Sequence, residues 1–357
     1  MLVKFKLDKI EGCVSELPLV SVVIPCRNEE KHIGMCLDSL LANDYPRDRI
    51  EFLVVDGMSE DGTRAIVADY LRKNSSLRLV DNEKKSIPAA VNLGVKHARG
   101  EIVTKIDGHS TYAPDYFTKC VRYLREFDAD NVGGVLKIRP GQNTAMAEAI
   151  ALALGHRFGS GNAYVKVGCK EPRWADAVSF GCFKRQVFDT VGLWNEELAG
   201  SPDMDFNQRL KRMGGKILLV PEIVTEYHAD ADLGALWRHN FADGVWATYV
   251  MKFGSRAFSW RHWVPMMFVL AMALGLSLSV SEPRLRFLFP AMVVGYAMAN
   301  LAASAQVALR EKNVRYLFFL PLVFATRHFS HGIGAVWGLI LVLLPGRHWK
   351  GRRSARA

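Results

Sequence analysis

Three clusters of polar residues in the first third of the chain could do chemistry, and each directly follows an apolar run. Together they supply carboxylates, an imidazole and hydrogen-bonding groups. Asp107 and His109 could share a divalent cation, because oxygen and nitrogen ligands suit Mn²⁺ or Mg²⁺. Asp and Gly are also ordinary turn residues after strands, but three such clusters in sequence indicate a site. The candidates are Pro25, Arg27, Asn28, Glu29, Asp56, Ser59, Asp61, Asp107 and His109.

The apolar runs before these clusters predict buried strands at 19–24, 50–55, 77–80 and 101–106. Apolar residues at helical spacing follow each of the first three runs. Strands that alternate with helices predict right-handed βαβ units and a mainly parallel sheet. Ligands of such sheets bind at the carboxyl ends of the strands. The sequence therefore predicts an α/β domain over 18–230, with the polar clusters on one rim.

These clusters resemble the three donor-site motifs of family 2 glycosyltransferases. Segments at 92–100, 181–196 and 203–210 are similar to further parts of the same domain, in the family's order. Within the family, the chain most resembles the membrane-associated glucosyltransferases of succinoglycan-type exopolysaccharide assembly. These share an Asp-x-His metal motif and a hydrophobic C-terminus. The resemblance implies a GT-A type, Rossmann-like fold and an inverting, metal-dependent hexosyl transfer.

The resemblance also implies roles for the individual residues. Asp56 would bind the nucleotide base, by analogy uracil, and the turn from Pro25 to Glu29, with Ser59 and Asp61, would frame the nucleotide sugar. Asp107 and His109 would hold Mn²⁺ or Mg²⁺ together with the ribose and diphosphate. Asp203 would be the general base that takes the proton from the acceptor hydroxyl.

Asp203 has a structural alternative, and the motifs depart from the family pattern at two places. The apolar spacing after Asp203 puts it near a helix start, where a carboxylate can simply be an N-cap. Pro202 stands where family members usually have Glu, and His109 replaces the usual last aspartate of the metal motif. The Gln-x-x-Arg-Trp motif of processive synthases is not found at 238–246, which argues against a processive enzyme.

Two features lie between this domain and the C-terminal region. His228 is a further candidate metal ligand, with an ordinary loop histidine as the alternative. Aromatic residues alternate with basic ones over 231–262. This pattern predicts a stretch at a membrane interface rather than a surface that stacks on nucleic-acid bases.

The C-terminal part predicts a region of transmembrane helices over 263–345. Uncharged runs at 263–280 and 287–309 are long enough to cross a bilayer. A third apolar stretch, 316–345, contains Arg327, His328 and His331, so it is either one long span or two half-length pieces that dip in and return. The basic tail, 346–357, favours the re-entrant alternative. The three polar residues are candidates for binding a lipid pyrophosphate head group, with polar packing as the alternative.

Charge and topology predict the setting of the protein. A net charge of +10 beside apolar spans favours anionic lipid over nucleic acid as a partner. Basic residues at 310–315 and the lack of CxxC pairs and of a signal-peptide-like start predict an inner or plasma membrane protein with its catalytic domain in the cytoplasm.

The resemblance implies a UDP-hexose donor, a polyprenyl-pyrophosphate-linked saccharide acceptor, and other polysaccharide-assembly proteins as further partners. Three alternatives remain open at this point. They are a polyprenyl-phosphate sugar synthase, a non-catalytic nucleotide-binding membrane scaffold, and a basic nucleic-acid-binding membrane protein.

Overall fold

A computed structural model describes residues 17–198, 200–254 and 260–344 of the chain. Within these residues, an eight-stranded sheet runs in the order β3-β2-β1-β4-β7-β5-β8-β6. The strands are β1 (Val20–Cys26), β2 (Ile50–Asp56), β3 (Leu77–Asp81), β4 (Ile102–Lys105), β5 (Asn131–Arg139), β6 (Arg173–Trp174), β7 (Ser179–Lys184) and β8 (Ile217–His228).

The sheet is mixed but mainly parallel. Strands β3, β2, β1 and β4 are parallel to one another, and β5 is parallel to β8. Strands β7 and β6 are antiparallel to their neighbours. The four strands predicted from the first part of the sequence are therefore confirmed. The antiparallel β7 joins the second half of the sheet directly to β4.

Helices cover both faces of the sheet, which is why every residue of β1 and β2 is buried. One apolar layer contains Leu37 and Phe117, and the opposite layer contains Val91 and Phe206. The helices of this part are α1 (Ile33–Leu41), α2 (Thr63–Lys73), α3 (Ile87–His97), α4 (Tyr116–Glu126), α5 (Ala145–Leu154), α6 (Arg157–Ser160), α7 (Tyr164–Val167), α8 (Gln186–Val191) and α9 (Pro202–Arg212).

Four longer helices follow: α10 (Leu233–Tyr249), α11 (Val264–Ser281), α12 (Leu288–Arg310) and α13 (Tyr316–Leu343). Two stretches, Val264–Ser281 and Pro283–Arg310, are long and apolar enough to cross a membrane. Only 11% and 17% of their most apolar windows are buried, whereas a core helix of a soluble protein would be mostly buried. Their exposed leucine, valine and methionine side chains form the kind of apolar surface that contacts lipid or another partner.

Residues 316–343 form one continuous helix, so the favoured interpretation of two half-length pieces is wrong. The polar residues in its middle do not break the helix because their side chains have partners outside it. Arg327 Nε donates to Gly159 O at 3.0 Å, and His328 Nε2 lies 2.8 Å from Phe158 O. The basic tail, 346–357, lies outside the described residues.

Helices α10 and α13 meet at backbone distance. A Cβ atom added to Gly334 would lie 2.2 Å from Phe241 O, and one added to Gly244 would lie 2.1 Å from His331 O. Glycine therefore permits this contact, as small residues do between membrane helices. In the stretch that was predicted to lie at a membrane interface, Trp246 and Tyr249 are buried. Residues 255–259 of that stretch lie outside the described residues.

Candidate active site

The three polar clusters meet at one edge of the sheet, as predicted. Strand β1 lies between β2 and β4, and all three are parallel. Cys26 pairs with Asp56, so β1 and β2 end at the same level. Val23 pairs with Lys105, so the residues after β4 run alongside the end of β1. The loops that carry the candidate residues therefore leave the sheet side by side.

Asp56 ends β2 and is 1% exposed. Its Oδ2 accepts hydrogen bonds from Arg64 Nη1 at 2.6 Å and from the Ser59 backbone N–H at 3.0 Å. Arg64 also donates to Asp81 at 2.8 Å, at the end of the neighbouring strand. Asp56 therefore stabilises the loop that follows β2. A nucleotide base that binds Asp56 would have to contact carboxylate oxygens that already accept these hydrogen bonds. Sequence reasoning missed Arg64, whose basic side chain in the first turn of α2 gave no signal of this pairing.

Asn28, Ser59 and Asp61 join the first loop to the second. The Asn28 backbone N–H donates to Ser59 Oγ at 2.9 Å. Asp61 accepts from the Glu30 backbone N–H at 3.1 Å and from the Thr63 backbone N–H at 3.0 Å. These bonds lower the pKa of Asp61, although burial opposes the shift. The contacts of Ser59 and Asp61 show that both residues position the loops.

One buried polar atom of Arg27 indicates that an anion binds at this rim. Pro25 lies in buried β1, and Arg27 follows that strand directly. Arg27 Nε is buried and has no hydrogen-bond partner within the described part of the chain. The Arg27 Nη2 atom lies 3.8 Å from a Glu60 carboxylate oxygen. A buried donor without an acceptor is costly, so a bound anion at this rim would satisfy it.

Asp107 and His109 lie on the turn after β4, and both side chains are partly exposed. His109 Nδ1 lies 3.2 Å from Glu29 Oε1. A carboxylate on one ring nitrogen fixes the orientation of an imidazole, as it does for metal-bound histidines. Among the described residues, no three His, Cys, Asp or Glu side chains form a ready-made metal site. The pair still fits Mn²⁺ or Mg²⁺, because these ions commonly combine one or two protein ligands with phosphate oxygens and water.

Asp203 is held from two sides. Lys105 Nζ donates to its Oδ2 at 2.6 Å, and Trp194 Nε1 donates to its Oδ1 at 2.9 Å. Pro202 occupies the first position of α9, as Pro favours, and Ser201 is the N-cap residue. The N-cap alternative for Asp203 is therefore wrong. Its carboxylate faces the end of β4 and remains about half exposed.

Lys105 connects the two carboxylates that matter most, and sequence reasoning gave it no role. Its nearly buried ammonium group lies 2.6 Å from Asp203 and 3.6 Å from Asp107. Burial works against the charged form, but the two carboxylates outweigh it and raise the pKa of Lys105 above its usual value. Lys105 therefore stays cationic and holds Asp203 beside the Asp107 turn. The only sequence signal was a lysine two residues before Asp107, in an otherwise apolar strand.

Asp205 is excluded as the alternative base by its surroundings. It is buried and accepts a hydrogen bond from Arg209 Nε at 2.9 Å. Arg209 also donates to the backbone oxygens of Val191 and Leu193, at 2.8 Å each. This pair fixes α9 to the chain before it and leaves Asp203 as the exposed carboxylate of that turn.

His228 is exposed at the end of β8, opposite Arg139 of β5. Within the described part of the chain, it does not form a metal-binding group with Asp107 and His109. The role of His228 as a metal ligand stays a prediction.

Arg327, His328 and His331 line a cavity of about 1390 Å³. Ser201 and Met204, on either side of Asp203 in sequence, line the same cavity. The structure therefore brings the polar residues of α13 to the side of the domain on which α9 begins.

Comparison with known proteins identifies the domain that carries this site. Residues 21–191 match the sequence model of Glycosyl transferase family 2. This chain carries a family 2 glycosyltransferase domain. The transferase is 23% identical over 330 residues to dolichyl N-acetyl-alpha-D-glucosaminyl phosphate 3-beta-D-2,3-diacetamido-2,3-dideoxy-beta-D-glucuronosyltransferase of Methanococcus voltae, covering 90% of this chain and 97% of that protein. It is 28% identical over 225 residues to succinoglycan biosynthesis protein ExoA of Rhizobium meliloti, covering 62% of this chain and 67% of that protein.

Among solved structures, the transferase resembles mannosyltransferase PcManGT from Pyrobaculum calidifontis, which is in complex with GDP-Man and Mn²⁺. The TM-score is 0.57 at 20% identity, over 90% of this chain and 88% of that one. The predicted GT-A type fold, with a mainly parallel sheet and a C-terminal helical region, is confirmed. The predicted resemblance to family 2 enzymes of succinoglycan type is confirmed as well.

Proposed function

We propose that this transferase moves a hexose, with inversion, from a UDP-sugar to a lipid-linked saccharide in polysaccharide biosynthesis. The observation that carries the proposal is the bridge made by Lys105 between Asp107 and Asp203. It places a fixed, half-exposed carboxylate next to the turn that suits a metal and a diphosphate. Inverting transfer needs this pair of features, because a base must act while the diphosphate leaves.

On the donor side, Arg27 and the turn from Asn28 to Glu29 would bind the nucleotide diphosphate. Asp107 and His109 would hold Mn²⁺ or Mg²⁺, which when bound neutralises charge on the leaving diphosphate. The GDP-Man and Mn²⁺ bound to the similar mannosyltransferase support a nucleotide-diphosphate donor and a divalent cation here.

On the acceptor side, Asp203 would accept the proton of the attacking hydroxyl. The Trp194 N–H and Lys105 fix both oxygens of its carboxylate, so the group does not have to be ordered during the reaction. Its exposed side is then the one that an acceptor hydroxyl can approach.

A membrane-held acceptor is supported by two observations. The Methanococcus voltae relative is named for a dolichyl-linked saccharide phosphate acceptor. The stretches Val264–Ser281 and Pro283–Arg310 have the length and composition of membrane spans. We also propose that the protein lies in the inner or plasma membrane and crosses it several times. The catalytic domain would face the cytoplasm, because nucleotide sugars are cytoplasmic donors.

A polyprenyl-phosphate sugar synthase is the second candidate. The cationic cavity beside α13 favours a phosphate-bearing lipid, and that phosphate could itself be the acceptor. Product analysis separates the two functions, because the synthase would yield a lipid monophosphate sugar and the proposed transferase an extended saccharide.

The proposal is tested by metal removal. Purified enzyme is screened against a panel of nucleotide sugars, with release of free nucleotide as the readout. Chelation should abolish turnover, and His109→Ala should raise the Mn²⁺ concentration needed for half-maximal rate by about 10-fold or more, as loss of a ligand or of its support does. Full activity of the wild type in excess chelator would contradict the metal assignment.

A further inference from the structure

The cavity beside α13 is bounded by two different parts of the protein. One wall is the catalytic domain, including the segment 157–166 and the start of α9 at Ser201 and Met204. The other wall is helical, with Asn240 and Asp243 of α10 and the start of α11. At about 1390 Å³, the cavity exceeds the usual range of roughly 300–1,000 Å³ for small-ligand pockets, so it has room for a ligand with more than one part.

Positive charge dominates the walls of this cavity. Six arginines and lysines line it, against two carboxylates. Lys211 is paired with one of these carboxylates, that of Asp176. Lys216 is paired with Asp128, which does not line the cavity. The positive charge that remains in the cavity attracts an anion. The six are Arg157, Lys166, Arg173, Lys211, Lys216 and Arg327.

Arg327 is held in place by the segment 159–160 of the catalytic domain. Its Nε donates to Gly159 O at 3.0 Å, and its Nη2 lies 3.4 Å from Ser160 Oγ. A guanidinium has five N–H donors, and within the described part of the chain these bonds use two of them. Arg327 is one of the residues that line the cavity. The planar fork of a guanidinium suits two oxygens of a phosphate.

His331 and His328 differ although both line the cavity. His331 lies one helical turn after Arg327, on the same face of α13. His328 has partners for both ring nitrogens, Phe158 O at 2.8 Å and Tyr296 OH at 3.0 Å. His328 therefore fastens the 158–160 segment and α12 to α13, whereas His331 presents its ring to the space beside Arg327.

We propose that this cavity binds the phosphate or pyrophosphate group of the acceptor, with Arg327 as the main ligand and His331 beside it. The proposal rests on the proposed function and names the site at which its acceptor is held. The saccharide would extend toward Ser201 and Asp203, and a lipid chain would leave toward the apolar helices. His328 is a structural residue in this arrangement and not a ligand.

Binding is measured on the full-length protein in nanodiscs, with saturating UDP and Mg²⁺ so that the donor site is filled. The probes are inorganic pyrophosphate, a polyprenyl pyrophosphate, and the corresponding polyprenyl alcohol. Arg327→Gln should weaken binding of the pyrophosphate lipid by about 10- to 100-fold, the worth of a bidentate charged contact. Arg327→Lys should fall between, and binding of the alcohol should not change.

Lys211→Gln and Ser160→Ala are the controls. Lys211→Gln removes a cation from the same wall, and Ser160→Ala removes only a protein contact of Arg327, so both should bind the pyrophosphate lipid like the wild type. If binding of inorganic pyrophosphate also depends on Arg327, the phosphate group alone is sufficient for binding. If only binding of the polyprenyl pyrophosphate depends on Arg327, the ligand of the cavity is a membrane lipid. Equal binding of the pyrophosphate lipid by wild type and a folded Arg327→Gln protein would overturn the proposal.

Failure of the proposed function gives a different pattern. If no nucleotide sugar is turned over but pyrophosphate-lipid binding depends on Arg327, the function fails and the cavity assignment stands. If turnover is found and binding ignores both Arg327 and His331, the cavity assignment alone is wrong.

Discussion

The two ends of the site are built in different ways. At the donor end, the candidate side chains already bind one another: Asp56 binds Arg64, Asp61 binds Thr63, and Glu29 lies against His109. At the acceptor end, the walls are far apart and enclose about 1390 Å³.

This difference has a physical reason. A nucleotide diphosphate presents the same groups in every donor, so the loops that bind it can be rigid before it arrives. Rigid loops lose little conformational entropy on binding. The proposed lipid-linked acceptor has a saccharide, a phosphate group and a lipid chain, and it would need an open space between the domain and the helices. Lys105 and Asp203 lie where the two ends meet.

Apart from substitution of Asp203 itself, the largest expected effect is that of a change at Lys105. Lys105→Met removes the charged hydrogen bond that fixes Asp203 and the cation shared with Asp107. We expect kcat to fall by about 10- to 100-fold, part of the range for a general base, with little change in KM for the donor. Lys105→Arg keeps the charge and should recover part of the rate. A folded Lys105→Met enzyme with wild-type kcat would show that the bridge has no functional role.

Two glycine substitutions should show that the donor end and the acceptor end respond independently. Gly94→Ala places a methyl group 2.2 Å from Val23 Cγ1 inside the donor half, and Gly334→Ala places one 2.2 Å from Phe241 O between α10 and α13. Overpacking of this kind costs about 1–3 kcal/mol. Both variants should melt at lower temperature, but only Gly334→Ala should raise the acceptor KM, because it displaces the helix that carries Arg327.

Equal effects of the two glycine variants on the acceptor KM would mean that the halves are not independent. Donor KM serves as the internal reference for both variants.

The smallest expected effect concerns Asp61, which links the loop after β1 to the loop after β2. Asp61→Ala leaves the backbone N–H groups of Glu30 and Thr63 without their acceptor. Because this loop is partly exposed and water can replace the bonds, we expect a loss of about 1–2 kcal/mol in the free energy of unfolding. Denaturant unfolding measures it. UDP affinity should drop only modestly, and loss of all UDP binding in a folded variant would instead make Asp61 a direct ligand.

The sequence predicts the donor half well and the acceptor half poorly. Apolar runs at 19–24 and 50–55 with polar residues after them determine where the loops leave the sheet, because strand ends in a parallel sheet share one edge. The role of Lys105 could not be predicted, since its partner Asp203 is 98 residues away and only the fold brings the two together.

The same limit explains the error on the third apolar stretch. Charged residues in an apolar run suggested a break, but partners 168 and 170 positions away, Gly159 and Phe158, accept bonds from Arg327 and His328 within an intact helix. Tertiary contacts of this length have no local signature in the sequence. Length and composition were sufficient to predict the two other long helices, because no charged residue interrupts the runs at 263–280 and 287–309.

The most direct test of Asp203 as the general base is the substitution Asp203→Asn. Asn keeps the size of the side chain and can still accept the Trp194 N–H, and Lys105 keeps Asp107 as a neighbour. We expect a folded protein that still binds UDP and transfers sugar about 10²- to 10⁴-fold more slowly, because an amide cannot accept the proton of the acceptor. A folded Asp203→Asn enzyme with wild-type transfer would show that Asp203 is not the base.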